Sequence, residues 1–199
     1  MKRFLIALFL LLFTSPLYAF GPAIQAVVSA GGAAETCNAA TNEVGQRGDG
    51  GTESSARSAD MLYCVKKTAD CSGPLKRAYV RGSGDNTVKV KLLLYSATTT
   101  APADADSLLA VSNGITMYGG VSWEYGSLST GYSPTNGTSY WVCAVIDTAS
   151  VFYLQMANGV NSSSKAIANS YATPPSTLST GGWTDTADRD YSMYFSIGP

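Results

Sequence analysis

The sequence predicts an all-β fold, an antiparallel β-sandwich of jelly-roll-like type with about eight strands, and three observations carry that expectation. From residue 61 onward, apolar residues recur with period two in short runs, and Gly, Pro, Asn and Asp punctuate those runs. Beyond the first nineteen residues, no long window shows the 3.6-residue spacing of a buried helix face. Charged residues are only 14% of the chain, and Gly, Ser, Thr and Tyr fill the space between apolar positions. That composition suits pleated, half-buried surfaces better than solvated helices.

Val88, Val90, Leu92 and Leu94 alternate with Lys89 and Lys91, which is a strand with one wet face at its start. Similar runs place strands at 61–67, 75–81, 108–112, 121–128, 139–147, 151–156 and 191–197. In the last of these Tyr191, Met193, Phe195 and Ile197 share a face. Turn chemistry falls between the runs, at Gly82-Ser83-Gly84-Asp85-Asn86, Asn113-Gly114, Pro134-Thr135-Asn136-Gly137 and Asn158-Gly159.

Residues 1–19 have a different logic. Lys2 and Arg3 precede the apolar run 4–13 and a small, turn-prone end, which is the pattern of a secretory signal peptide cut after Ala19 or, as a second choice, after Ala23. The apolar run is about half of the roughly 20 residues that a spanning helix needs. The expectation is an exported chain that is not membrane-embedded. It divides into a signal peptide (1–19), a flexible N-terminal segment with a possible strand (20–36) and a single β-sandwich domain (37–199). Within 20–36, Ile24, Ala26 and Val28 lie on one side if extended. Such a strand pairs either with the domain's own sheet or with a neighbouring copy, the second being a route to self-association.

Removing Lys2 and Arg3 leaves 11 basic against 14 acidic residues, with no long run of either sign. Counterion release from phosphates needs clustered Lys and Arg, so nucleic acid is not an expected partner. The chain has no histidine. That excludes Ser-His-Asp and Cys-His nucleophile arrangements and removes the commonest metal ligand. Four cysteines, Cys37, Cys64, Cys71 and Cys143, read as two disulfides of an exported domain, with three connectivities possible. Closeness in sequence favours Cys64 with Cys71, leaving Cys37 to meet Cys143.

The order 88–96, then a Pro102-containing loop before Leu108-Leu109-Ala110, then Trp123, then Asn136-Gly137-Thr138-Ser139-Tyr140-Trp141-Val142 resembles carbohydrate-binding-like β-sandwich modules of bacterial and phage surface proteins. The resemblance covers about residues 60–199 and rests on strand order and turns. It implies the sandwich fold and, as partner, a glycan or another surface polymer.

Aromatic residues are then the main binding candidates, because a ring can lie on the apolar face of a sugar while its edge stays wet. Trp183, after Gly181-Gly182, with Tyr118 and Tyr132 in other loops, forms the expected exposed platform. Trp123 and Trp141, in apolar strands, are expected between the sheets. Asp185, Asp188 and Asp190 could gather oxygen ligands for Ca²⁺, or could be a solvated turn; no other cofactor is expected. Arg47-Gly48-Asp49 and the acceptor patterns at Asn136 and Asn161 read as surface turns. The functional expectation is an exported, non-catalytic binding module for adhesion or recognition. The alternative is a structural subunit of an extracellular filament or layer joined by N-terminal strand addition.

Overall fold

The computed structural model describes residues 37, 42–48, 53–148, 152–158, 164–185 and 189–198, all within the unit Thr36–Pro199. In chain order its strands are β1 (Glu43–Gly45), β2 (Glu53–Arg57), β3 (Met61–Thr68), β4 (Leu75–Ser83), β5 (Lys89–Ser96), β6 (Leu108–Val111), β7 (Ile115–Thr116), β8 (Ser122–Gly126), β9 (Ser139–Ile146), β10 (Phe152–Asn158), β11 (Ser164–Ala168), β12 (Thr184–Asp185), β13 (Arg189–Tyr191) and β14 (Met193–Ile197). The front sheet runs β1-β14-β4-β10-β13, with β2 also beside β10 and β8 beside β4. The back sheet runs β12-β11-β3-β9-β5-β6, with β7 also beside β5. All pairings are antiparallel, and the chain crosses between sheets at nearly every step from β3 to β11, as the jelly-roll expectation requires.

All eight expected strands are present. The additional ones, β1, β2, β7, β11 and β12, have two to five residues, too few to display a period in the sequence. Strand β2, Glu-Ser-Ser-Ala-Arg, is polar and is held by its register with β10, Phe152 opposite Arg57 through Met156 opposite Glu53. The expected strand at 191–197 is divided at Ser192: β13 pairs with β10, and β14 with β4 and β1. Asn113-Gly114 does not close a hairpin. Strands β6 and β7 both lie along β5, and Ser112 bridges the step, its Oγ accepting the Leu92 N–H at 2.9 Å.

Alternation assigns the core. Val90, Leu92, Leu94, Val142, Ala144 and Ile146 of the back sheet meet Val80, Phe152, Leu154, Met193, Phe195 and Ile197 of the front sheet. The back sheet is buried on its other face as well. Leu62, Cys64, Leu93, Tyr95, Trp141, Cys143 and Val145 form a second cluster there, capped by Leu178 from the segment 169–183 that straps the sheet. This explains why 92–95 and 141–146 read as continuous apolar runs rather than as alternation: a strand buried on both faces needs apolar side chains at every position. Backbone bonds seat the strap: Leu108 N–H donates to the Ser176 carbonyl at 2.8 Å and Leu178 N–H to that of Asp106 at 3.0 Å. The fully buried Asp106 carboxylate in turn accepts from Thr98 N–H at 2.7 Å and Ala103 N–H at 3.0 Å, ordering the loop between β5 and β6. Tyr95 donates its hydroxyl to the Pro175 carbonyl at 2.9 Å, and the Lys91 ammonium lies 4.3 Å from the Tyr171 ring centroid.

The disulfides join Cys37 to Cys71 and Cys64 to Cys143. The count is as expected and the pairing is not. Cys64 and Cys143 stand directly opposite each other on β3 and β9, on the outer face of the back sheet, whereas Cys71 packs into the core between the sheets. Four extended residues separate Cys64 from the end of β3, about 13 Å of chain, so proximity in sequence is not proximity in space.

Burial also sets the behaviour of several phenols at high pH. Burial, with a contribution from Tyr140, raises the Tyr132 hydroxyl to about 12, and burial, with Asp147, raises that of Tyr171 to about 12; burial pushes Tyr95 up as well. A raised folded-state value means that the neutral phenol is the form the fold favours. Stability is therefore intact below about pH 10, where a free phenol ionises, and falls between about pH 10 and 12. Phenolate absorbance followed alongside circular dichroism should show late-ionising tyrosines whose titration coincides with loss of strand signal. Complete ionisation near pH 10 with the fold intact would contradict this packing.

Candidate functional site

The outer face of the front sheet carries a cluster that alternation builds directly. On β4, Ala78 and Val80 point into the core, so Arg77, Tyr79 and Arg81 point out. Tyr79 is opposite Tyr125 on β8 and Tyr194 on β14, while Arg81 is opposite Trp123. Three adjacent strands thus present Tyr125, Tyr79 and Tyr194 in a row about 10 Å wide, at the roughly 4.8 Å spacing of neighbouring strands.

The rings touch. Tyr79 and Tyr194 stack with centroids 4.7 Å apart and planes 6° apart; Tyr125 follows at 5.8 Å from Tyr79, and Trp123 meets Tyr194 edge-on at 5.3 Å. Arg47 lies 4.9 Å from the Tyr194 centroid and pairs with Glu43 at 2.8 Å, and Arg77 lies 4.8 Å from the Tyr125 centroid. Tyr194 is the buried pivot, and burial raises its hydroxyl above the ordinary phenol value. Tyr125 is 58% exposed at the rim, with Trp123 and Tyr79 half-buried between. Gly45 makes room for this stack: it sits opposite Tyr194 with φ +136°, and a Cβ there would lie 2.5 Å from the Tyr194 Cα.

The expected platform is not assembled. Tyr118 is exposed, but its carbonyl binds Gly84 N–H beyond one end of β4, while the Tyr132 carbonyl binds Leu75 N–H at the other end. Tyr132 is half-buried against the main core, edge-on to Tyr140 at 6.0 Å. Trp183 is half-buried on the back sheet's outer cluster and donates Nε1–H to the Ser179 carbonyl at 2.7 Å. These three residues lie on three different surfaces. Trp141 is fully buried, but beneath the strap rather than between the sheets, and Trp123 lies on the outer face of the front sheet instead of in the core. Period-two counting identifies a shared face for Trp123 and Tyr125 without saying which side of the sheet it is. The signal that could have done so is the register of 122–126 against 78–82, with Ala78 and Val80 inward.

The acidic residues before the last strand are also separated. Asp185 belongs to β12 in the back sheet, opposite Lys165, and Asp190 to β13 in the front sheet. Asp190 is buried and pairs with the Lys67 ammonium at 2.6 Å, joining the two sheets. Asp188 lies outside the described residues, as do Ile24, Ala26 and Val28. Among the described residues, no three His, Cys, Asp or Glu side chains gather as they would around a metal ion, and no helix is long and apolar enough to cross a membrane.

No protein-family model and no curated protein matches the chain. What the structure defines is therefore a class: an all-β sandwich with two disulfides and a paved aromatic face on one sheet.

Proposed function

We propose that the protein is an exported, non-catalytic binding module that takes a glycan, or a comparable surface polymer, on the outer face of its front sheet. The observation that carries this reading is the row Tyr125-Tyr79-Tyr194 with Trp123 beside it. It is a continuous set of rings across adjacent strands, and its rim ring is left 58% exposed. Trp123 and Tyr125 stand on one rigid strand, so their exposed apolar surface is offered at little entropic cost on binding. The two disulfides suit an oxidising, extracellular or periplasmic compartment. The reading assigns no reaction. Among the described residues, the carboxylates at the edge of the face, Glu43 and Asp70, are engaged by Arg47 and by the Glu43 N–H.

The test separates binding from folding. Tyr125→Ala removes an exposed ring and should leave Tm nearly unchanged while weakening retention on a recognised polysaccharide by about tenfold, equivalent to ~1.4 kcal/mol. Trp123→Ala should weaken it similarly with a small loss of Tm, and Tyr118→Ala, away from the face, should change neither. Unchanged glycan retention in the Tyr125 and Trp123 variants would refute the assignment of this face.

A further inference from the structure

Resting on that reading of the aromatic face, we propose that its ligand is an acidic polysaccharide, a chain of uronate sugars whose carboxylates are held by Arg77 while the pyranose rings lie against Tyr125 and Trp123. The charge around the rings is opposite in sign to that of the whole protein. The chain has 13 basic and 14 acidic residues and a pI near 5.3, yet among the described residues the aromatic face carries Arg47, Arg77 and Arg81, with Glu43 paired to Arg47 and Asp70 beside Glu43 at its edge. Arg77 is exposed on β4 and adjoins the most exposed ring of the row, its guanidinium 4.8 Å from the Tyr125 centroid.

A uronate fits that juxtaposition because it carries its anion on a carbon of the pyranose itself. A sugar stacked on Tyr125 would thus bring its carboxylate to the guanidinium beside it. The planar fork of an arginine matches a carboxylate with two parallel hydrogen bonds, and the aromatic neighbour holds the fork in place. Three arginines are too few to track a phosphate backbone over many nucleotides, which argues against a single-stranded nucleic acid on the same rings.

The experiment uses the full-length protein and four immobilised probes: polygalacturonate, the same polymer fully methyl-esterified, a neutral β-glucan, and a single-stranded oligothymidylate. Polygalacturonate should be retained at least tenfold more tightly than its neutral ester, and the difference should shrink as salt is raised. Arg77→Gln should lose about tenfold on polygalacturonate with Tm unchanged, and Arg77→Lys should recover part of it. Equal retention of the acidic and esterified polymers, preference for the β-glucan, or no effect of Arg77→Gln would overturn the acidic assignment and leave the aromatic-face reading standing. Preference for the oligothymidylate, or retention of none of the probes, would overturn both.

Discussion

Trp141→Ala should destabilise the domain by about 3–5 kcal/mol, the usual cost of emptying a large aromatic core site, which is a large fraction of a typical domain's total stability. The ring is fully buried on β9 under the strap, opposite Tyr95 and in one cluster with Leu93, Val145 and Leu178. Removing it leaves a cavity on a face that the 169–183 segment covers, so the strap should loosen as well. Denaturant melts should show the loss of stability, and hydrogen exchange should show reduced protection at Leu108 and Leu178, whose N–H groups bond across the strap's edge. Trp183→Ala, at the half-buried margin of the same cluster, should cost a smaller amount but not zero, in contrast to what a loop-borne platform residue would show. A Trp141→Ala protein within about 1 kcal/mol of wild type would mean that this face is not a core.

Replacing Cys64 and Cys143 together by alanine should cost about 4.5 kcal/mol in the chain-entropy picture, because the bond closes a loop with a sequence separation of 79. Cys37 and Cys71, with a separation of 34, should cost about 4 kcal/mol by the same relation. The first pair should be the worse loss for a second reason: its sulfurs fill the outer cluster against which Trp141 packs. Digestion without reduction, followed by mass spectrometry, should recover the linked peptides 37 with 71 and 64 with 143. Recovery of 64 linked to 71 would contradict the register of β3 against β9.

Much of the fold was legible in local pattern. The residues of Val88 to Leu94 and of Tyr191 to Ile197 that meet between the sheets follow the period-two pattern, and the turns at 82–86 and 134–137 carry residues suited to them, with Asn86 at φ 68° and Gly137 at φ 73°. The candidate site was half legible. Trp123 and Tyr125 could be placed on one face of one strand, but Tyr79 and Tyr194 are 44 and 71 residues away from Trp123 in sequence and join it only through the pairing of β4 with β8 and β14. Trp183 beside two glycines looked like an exposed ring because glycine-rich loops are usually open. The strap folds that loop back on the sheet.

By itself the sequence determined the class: period-two apolar runs, turn residues at their ends, an even set of cysteines and the absence of histidine are properties of the chain before any contact forms. Tertiary structure decided everything that depends on which two surfaces meet. It chose Cys143 over Cys71 as the partner of Cys64, put Trp141 beneath a strap and Trp123 in the open, sent Asp185 and Asp190 to different sheets, and aligned four aromatic rings from three strands. The physical reason is common to all of these. A strand's alternation tells its two faces apart, but only pairing register and the layer packed above settle which face is covered and which neighbour stands opposite.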